Sequence, residues 1–438
     1  MMQSQFADFK KRITKKKFTI AVVGLGYVGL PLAIEFARKG VDVHGLDVDA
    51  HRINRLKKKE SYITDITDKE LREVLALGHL SYSSDFGVLK TADVTIICVP
   101  TPLKRKYHPN ISYIRQAVKS ISQNLKKASL VILESTTYPG TTEDVILPLL
   151  QEHGHKHNQD FYLAFSPERI DPGNKHYPVN KIPKVVGGLS KEATELAVLV
   201  YKNIIDTVVA VSSTRVAEFV KLLENTFRLI NIGMVDEIAM MAHKMGVDIW
   251  EVIRAASTKP FGFMTFYPGP GVGGHCIPKD PLYLYWKAKH HGFKSRFIKL
   301  ASDVISFMPS YVVGRMEEAL RKNGKEIQKC RILLLGVTYK KDVLDLRKSP
   351  SLDVLEILQK RKIAVSYYDP LVPYLKMNHL INLESVKLDK KTLNKFDCVC
   401  VLADHTSVDY GFILRHARMI FDTRNVYKGI KNKKVIKL

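Results

Sequence analysis

The chain alternates between short, fully apolar stretches and longer amphipathic ones, beginning at Phe18. Residues 18–23 read as a strand, followed by a glycine turn and a helix that ends near Gly40. A short strand over 41–46 runs into Asp47, and a polar helix follows it. Further apolar strands are expected at 94–99, 130–133 and 162–165, separated by helical stretches. Strands apolar on both faces belong in a parallel sheet covered on both sides by helices. The alternation therefore predicts a doubly wound parallel sheet over roughly residues 1–205. From Ser212 to about Met245 the pattern changes to one long helix. Val216, Phe219, Val220, Leu223, Phe227 and Ile230 recur at helical spacing, Ser212 and Ser213 are candidate N-caps, and Gly246 is a stop. Helical segments near 248–256 and 280–291 flank a glycine-proline loop. A second α/β pattern starts at Arg331, with strands at 332–335, 364–368, 398–402 and 419–421. Its helix at 350–359 is opened by Ser349, with Pro350 in the first turn. The expected architecture is α/β: two Rossmann-like doubly wound parallel-sheet domains joined by a long central helix and a helical middle domain. The expected boundaries are 1–211, 212–325 and 326–438.

Basic residues up to Lys17 followed by an apolar run over 18–34 imitate a signal peptide or a membrane span. The strand–glycine–helix reading accounts for that apolarity, and no other segment is expected to be long enough to span a bilayer. The expectation is a cytoplasmic protein without membrane insertion. With 438 residues, two to four domains are expected. The 68 Lys+Arg against 44 Asp+Glu leave a net charge of +24. Such a surplus serves solubility or attracts phosphate-bearing ligands. The lysines are scattered and form no nucleic-acid-binding module, so no specific nucleic-acid partner is expected. The basic runs at 10–17 and 428–437 read as solvated ends. Five cysteines in a chain of this length do not make a disulfide framework, and no zinc spacing is present, so no metal is expected. Cys98, Cys398 and Cys400 sit in apolar runs as small buried hydrophobes. Cys276 differs, lying in a polar, glycine-rich loop.

Three groups of residues carry chemistry. Gly24-Leu25-Gly26-Tyr27-Val28-Gly29 lies between a strand and a helix, the context in which G-x-G-x-x-G binds a dinucleotide. Gly24 permits the tight turn, Gly26 lets backbone approach the pyrophosphate, and Gly29 allows helix–strand packing. Asp47, about 20 residues on, suits a ribose hydroxyl and would repel a 2′-phosphate, which points to NAD. Arg52 can stack near the adenine. The second group is Pro268-Gly269-Pro270-Gly271-Val272-Gly273-Gly274-His275-Cys276-Ile277-Pro278-Lys279-Asp280. Its glycines would let backbone approach a diphosphate, and cations beside Cys276 favour the nucleophilic thiolate. The third is Lys221, Asn225 and Arg228, which share one helix face and could hold an oxyanion and a sugar. A solvated face, with Glu224 paired to Lys221 or Arg228, is the plain alternative.

Residues 24–33 (GLGYVGLPLA), 135–142 (STTYPGTT), 166–173 (SPERIDPG), 221–228 (KLLENTFR), 273–280 (GGHCIPKD) and 345–350 (DLRKSP) together resemble the UDP-glucose/GDP-mannose dehydrogenase family, in its order and spacing. The resemblance covers nearly the whole chain. It implies an NAD-dependent oxidation of a sugar 6-hydroxyl to a carboxylate in two steps, consuming two NAD. By that resemblance Cys276 forms a thiohemiacetal and then a thioester, which water hydrolyses. Lys221 and Asn225 would stabilise the oxyanion, Asp280 and Glu168 would position or deprotonate water, and Thr136 would support that water. Cofactor contacts would come from Gly24, Gly26, Tyr27, Val28, Gly29, Asp47, Arg52, Thr101, Ser135, Thr136 and Arg347. Substrate contacts would come from Glu168, Arg169, Lys221, Asn225, Arg228, Tyr267, Gly273 and Lys340, with a UDP-binding C-terminal domain and a homodimer through the central helix. A second acid often found downstream of the first glutamate is not cleanly matched in Pro167-Glu168-Arg169-Ile170-Asp171-Pro172. Pro260-Phe261-Gly262-Phe263 with PGPGVGGHC is most like enzymes acting on UDP-N-acetylglucosamine, with UDP-N-acetylmannosamine, UDP-N-acetylgalactosamine and UDP-glucose enzymes as alternatives; Lys279 leans towards glucose. A nucleotide-binding scaffold without catalysis is the reading from another class.

Overall fold

The computed structural model describes residues 2–63, 66–103, 108–169, 179–274, 276–377 and 381–438. The chain forms two compact units, Met1–Glu224 with Leu282–Phe293, and Asn225–Pro281 with Lys294–Leu438. The boundary falls inside the long helix Thr214–Lys244.

The first unit is built on strands β1 (Thr19–Val23), β2 (Asp42–Leu46), β3 (Leu80–Ser83), β4 (Val94–Ile97), β5 (Ser129–Leu133), β6 (Phe161–Phe165), β7 (Lys184–Gly188) and β8 (Val208–Val211). Their spatial order is β3-β2-β1-β4-β5-β6-β7-β8. The first six follow the dinucleotide-binding order, with the switch point between β1 and β4. Strands β4, β5 and β6 are buried along their whole length, which explains their unbroken apolar sequences. One pair departs from the all-parallel expectation: β7 runs antiparallel to β6, pairing Phe165 with Gly187. A reversed strand begins where its neighbour ends. The first residue of β7, Lys184, therefore lies at the carboxyl end of the parallel strands.

The basic N-terminus is not the solvated tail its composition suggests. Met2–Thr14 is a helix whose Phe9 and Ile13 are buried in the first core. Arg12 reaches the buried Asp93 at 2.7 Å, and Lys10 pairs with Glu195. The lysines occupy the outer face of an amphipathic helix, so charge composition alone misplaced this segment.

The second unit carries strands β9 (Arg331–Leu335), β10 (Ala364–Tyr368), β11 (Tyr374–Met377), β12 (Ile381–Glu384), β13 (Cys398–Val401), β14 (Ile420–Asp422) and β15 (Val435–Lys437). Five of them form a parallel sheet in the order β10-β9-β13-β14-β15, and β11 and β12 form a separate antiparallel hairpin. Strand β15 lies in the basic run expected to be a solvated end. Helix Arg296–Lys322 was not anticipated, because Pro309 in its interior imitates a helix end. By length and composition alone it could cross a membrane, contrary to the expectation of no such segment. It carries Arg315, Glu317 and Glu318, and its Met308, Val312, Val313 and Met316 are buried in the core beneath β9 and β13.

Candidate functional site

The glycine turn follows β1. Gly24 has φ +97°, and a Cβ there would stand 2.8 Å from the Cys98 carbonyl oxygen. At Gly29, the first residue of helix Gly29–Arg38, a Cβ would stand 1.9 Å from the carbonyl oxygen of Gly24. Gly26 is different: its Cβ position is open, with only an Arg52 nitrogen nearby at 3.8 Å. Two glycines are thus demanded by packing, while the middle one leaves a bare stretch of backbone, the cradle a pyrophosphate needs. Asp47 closes the turn from β2. Its Oδ2 accepts from Leu25 N at 2.8 Å and from Arg52 Nη1 at 2.9 Å, and its Oδ1 accepts from Asp49 N. Arg52 therefore grips Asp47 and lies over the Tyr62 ring. Tyr27 is exposed, and Val28 packs on the core.

Two predicted contacts sit just past β4 and β5. Thr101 is buried, its carbonyl accepting from Tyr283 Oη. Ser135 donates to Val99 O at 2.8 Å, tying the two loops together. Thr136 next to it is half-buried.

Glu168 follows β6 and is buried in a cluster that sequence reasoning missed. Lys184 Nζ stands 3.0 Å from Glu168 Oε2 and also bonds Glu134, the residue after β5. Tyr201 Oη donates to the other oxygen of Glu134 at 2.7 Å. Arg169 N donates to Glu168 Oε1 at 2.7 Å. Burial works against charge on Glu168, but the Lys184 ammonium, the hydrogen bond shared with Glu134, and Lys221 outweigh it and hold its carboxyl well below the usual range. Burial pushes the Glu134 carboxyl up, more than Lys184 lowers it. The sequence signal was present: a glutamate closing the apolar run SLVILE and a lysine opening the buried strand KVVGG. Charged residues are almost never fully buried unless paired, so each implied a partner.

The Arg169 side chain pairs with Glu224 at 2.6 Å, which corrects the expectation that Glu224 pairs with Lys221 or Arg228. Lys221 and Asn225 are half-buried on the long helix, whereas Arg228 one turn on is exposed. Another buried acid on that helix, Glu218, accepts from Thr142 N at 2.9 Å and from Gly140 N, and so holds the 135–142 segment.

In the second unit, Asp280 is buried and its Oδ2 accepts from Asn225 Nδ2 at 2.8 Å, joining two residues singled out separately. Cys276 is exposed, while the other four cysteines are buried. Its carbonyl accepts from Lys279 N and Asp280 N, so it sits one turn ahead of helix Asp280–His290. A helix N-terminus favours the thiolate. His275 and Asp171 lie outside the described residues.

The glycines before Cys276 meet a packing demand within the second unit. A Cβ at Gly273 would stand 2.4 Å from Tyr339 Cβ, and one at Gly274 would stand 2.9 Å from the Tyr339 ring. Gly274 N donates to Arg347 O at 2.9 Å. These glycines let the cysteine loop lie flat on the 339–350 segment. Arg347 forks onto Asp345, with Nη2 at 2.6 Å from Oδ2. Lys340 is half-buried, and Tyr267 is exposed with its ring stacked on Trp250. Asp236, also unforeseen, accepts from Gly269 N at 3.0 Å; burial pushes its carboxyl up to about 7.

Comparison with known proteins agrees with this geometry along the chain. Residues 18–205 match the NAD-binding domain of the UDP-glucose/GDP-mannose dehydrogenase family, residues 215–305 its central domain, and residues 333–429 its UDP-binding domain. The chain is 36% identical to the UDP-N-acetyl-D-mannosamine dehydrogenase of Pyrococcus horikoshii, covering 93% of this chain and 96% of that one. It is 39% identical to the UDP-N-acetyl-D-glucosamine 6-dehydrogenase of Pseudomonas aeruginosa, covering 82% and 84%. A solved structure of the Pyrococcus horikoshii UDP-D-ManNAc dehydrogenase superposes with a TM-score of 0.86, covering 96% of this chain and 98% of that one. The glycine turn and Asp47 thus lie within an NAD-binding domain, and the chain is a member of the UDP-glucose/GDP-mannose dehydrogenase family, an NAD-dependent UDP-sugar dehydrogenase.

Proposed function

We propose that the protein oxidises the 6-hydroxyl of a UDP-N-acetylhexosamine, best read as UDP-N-acetylglucosamine, to the uronate. Cys276 would hold the sugar carbon as a thiohemiacetal and then as a thioester. The observation that carries this reading is the exposed Cys276 one turn ahead of a helix whose first residue, Asp280, is held by Asn225. A one-step hydroxy-acid dehydrogenase has no use for such a nucleophile, and a scaffold without catalysis has no use for the pair behind it. Bound at the glycine turn, NAD supplies the electron acceptor for both oxidations. Lys221 and Asn225 donate to the developing oxyanion. Glu168 takes a proton from the attacking water, with Thr136 and Asp280 supporting that water. Tyr27, Thr101, Ser135 and Arg347 serve the cofactor in this reading; Arg169, Arg228, Tyr267, Gly273 and Lys340 serve the UDP-sugar.

The glucosamine assignment draws support from the 39% identity to the Pseudomonas aeruginosa enzyme. The second reading, UDP-N-acetylmannosamine, draws it from the 36% identity over 93% of the chain. Incubation with NAD and each UDP-sugar, followed by absorbance of reduced cofactor, tests both. Two NADH per molecule of UDP-N-acetylglucosamine is the expected result. Two per molecule of UDP-N-acetylmannosamine only would select the second reading, and none with any UDP-hexose would remove the proposal.

We further propose a cytoplasmic homodimer organised as domains 1–211, 212–325 and 326–438. The dimer is supported by Val216, Phe219, Leu223, Phe227, Met234, Ile238 and Met241, which are exposed at helical spacing along Thr214–Lys244. A stripe of that length on a soluble chain marks an interface, and helix-on-helix pairing with a second copy would cover it.

A further inference from the structure

We propose that Lys184 is the positioning residue that keeps Glu168 an oriented carboxylate for thioester hydrolysis, with Glu134 as its protonated partner. This rests on the reading above, in which Glu168 receives the proton of the attacking water. In that step the water oxygen bonds the thioester carbon. Its O–H breaks towards Glu168, the C–S bond breaks, and the Cys276 sulfur leaves as thiolate. A base for this step has to be ionised and held in place before water arrives.

One ammonium and two carboxyl groups share a buried site. Glu134, Glu168 and Lys184 are all buried. Net negative charge in such a place is costly, so one proton stays with the carboxyl pair. The donors decide where it resides. Glu168 receives Arg169 N–H on one oxygen and the Lys184 ammonium on the other, and it feels Lys221 from the long helix. Glu134 receives the Tyr201 hydroxyl and shares Lys184, and its carboxyl is hydrogen-bonded to Glu168. The proton therefore belongs to Glu134, whose O–H faces the ionised Glu168. Among the described residues, Cys98, just after β4, also faces this cluster, a buried thiol kept neutral by burial. Glu224 is occupied by Arg169. Both oxygens of Glu168 are pinned by groups on different chain segments, which fixes the carboxylate plane. A lysine in a buried strand has no stability advantage over an apolar residue of similar size. Its orientation of Glu168 gives it a reason to be there.

The test compares wild type with K184M and K184R on the UDP-sugar that wild type turns over. K184M is expected to lower kcat about a hundredfold at pH 7 while each KM stays within about threefold. Its acid limb of kcat should move up by about one pH unit or more, since Glu168 has lost its cation. Acid-quenched enzyme should show a sugar adduct on Cys276 by mass spectrometry, because hydrolysis has become slow. K184R should retain most of kcat and the wild-type limb. Unchanged kcat and acid limb in K184M, or loss without a Cys276 adduct, would overturn the proposal. If K184M does not fold, K184Q, which keeps a hydrogen-bonding head group, goes through the same assays. A wild type inactive on every UDP-hexose would remove the functional reading and leave the clamp to heat unfolding. There, E168Q introduced into K184M should restore more than half of the lost midpoint. Additive losses would refute the clamp.

Discussion

Gly26→Ala and Gly29→Ala add the same methyl group three residues apart, and the structure assigns them opposite consequences. At Gly29 the new Cβ would fall 1.9 Å from the Gly24 carbonyl oxygen, with Cys98 Cβ at 3.1 Å on another side. Relief requires the helix Gly29–Arg38 to retreat from β1 by more than an ångström, and seven of its ten residues are buried. Overpacking of this kind costs roughly 3 kcal/mol. In a unit of this size that lowers the unfolding midpoint by about 6–12 °C. At Gly26 the methyl meets nothing closer than 3.8 Å, so stability should change by less than about 0.5 kcal/mol. The methyl there occupies the space a pyrophosphate needs, and NAD affinity should fall roughly tenfold to a hundredfold, or about 1.4–2.8 kcal/mol. Differential scanning fluorimetry and isothermal titration with NAD measure both effects on the same samples. The reasoning fails if Gly26→Ala destabilises as much as Gly29→Ala, or if Gly26→Ala binds NAD as tightly as wild type.

Other outcomes follow from features elsewhere. Cys276→Ser should abolish turnover while leaving NAD affinity within about twofold, since the cysteine is remote in sequence from the glycine turn; full activity would remove the thioester route. Deleting residues 2–14 uncovers Phe9 and Ile13, each worth about 1.5–3 kcal/mol of burial, and takes the Arg12 guanidinium from Asp93, which keeps Lys126 and Thr19 N; the midpoint should fall and trypsin cleavage should quicken. Asp236 has its carboxyl raised to about 7 in the folded state, so between its unfolded value near 4 and pH 7 the folded chain holds a proton that the unfolded chain has released. Wild-type stability should therefore decline through that window. D236N, which keeps the oxygen for Gly269 N, should be the more stable form at pH 8 and lose that advantage near pH 4, as read by unfolding midpoints across the range. Replacing Leu223 and Phe227 together by Glu should give a monomer by light scattering, and a persistent dimer would place the interface elsewhere.

The parallel strands and the glycine turn were legible because their signals are local: an apolar run, a turn residue at a fixed spacing, an acid at the end of the next strand. Cys276 stood out for the same reason, as a thiol in a polar loop. The direction of β7 was not legible, since KVVGG is equally apolar whichever way it runs. Lys184 and Glu134 are fifty residues apart and meet only through that reversal. The N-terminal helix was hidden behind its charge, its two buried side chains being outnumbered by Lys10, Lys11 and Arg12. The reason for Gly273 and Gly274 was also out of reach, because Tyr339 reaches them from a distant stretch of chain.

The reversal of β7 has a consequence for how the sheet breathes. The outer strands of an open sheet normally fray first, exchanging their amide protons through cheap local openings. Here the outer pair β7 and β8 cannot lift away from β6 without drawing an ammonium out from between two buried carboxyl groups and taking from the ionised Glu168 the cation that touches it. Opening that edge thus costs far more than its own hydrogen bonds. Amide exchange along Val185–Gly188 should consequently be as slow as in the central strand β4, and in K184M the same amides should exchange as an ordinary margin of the sheet.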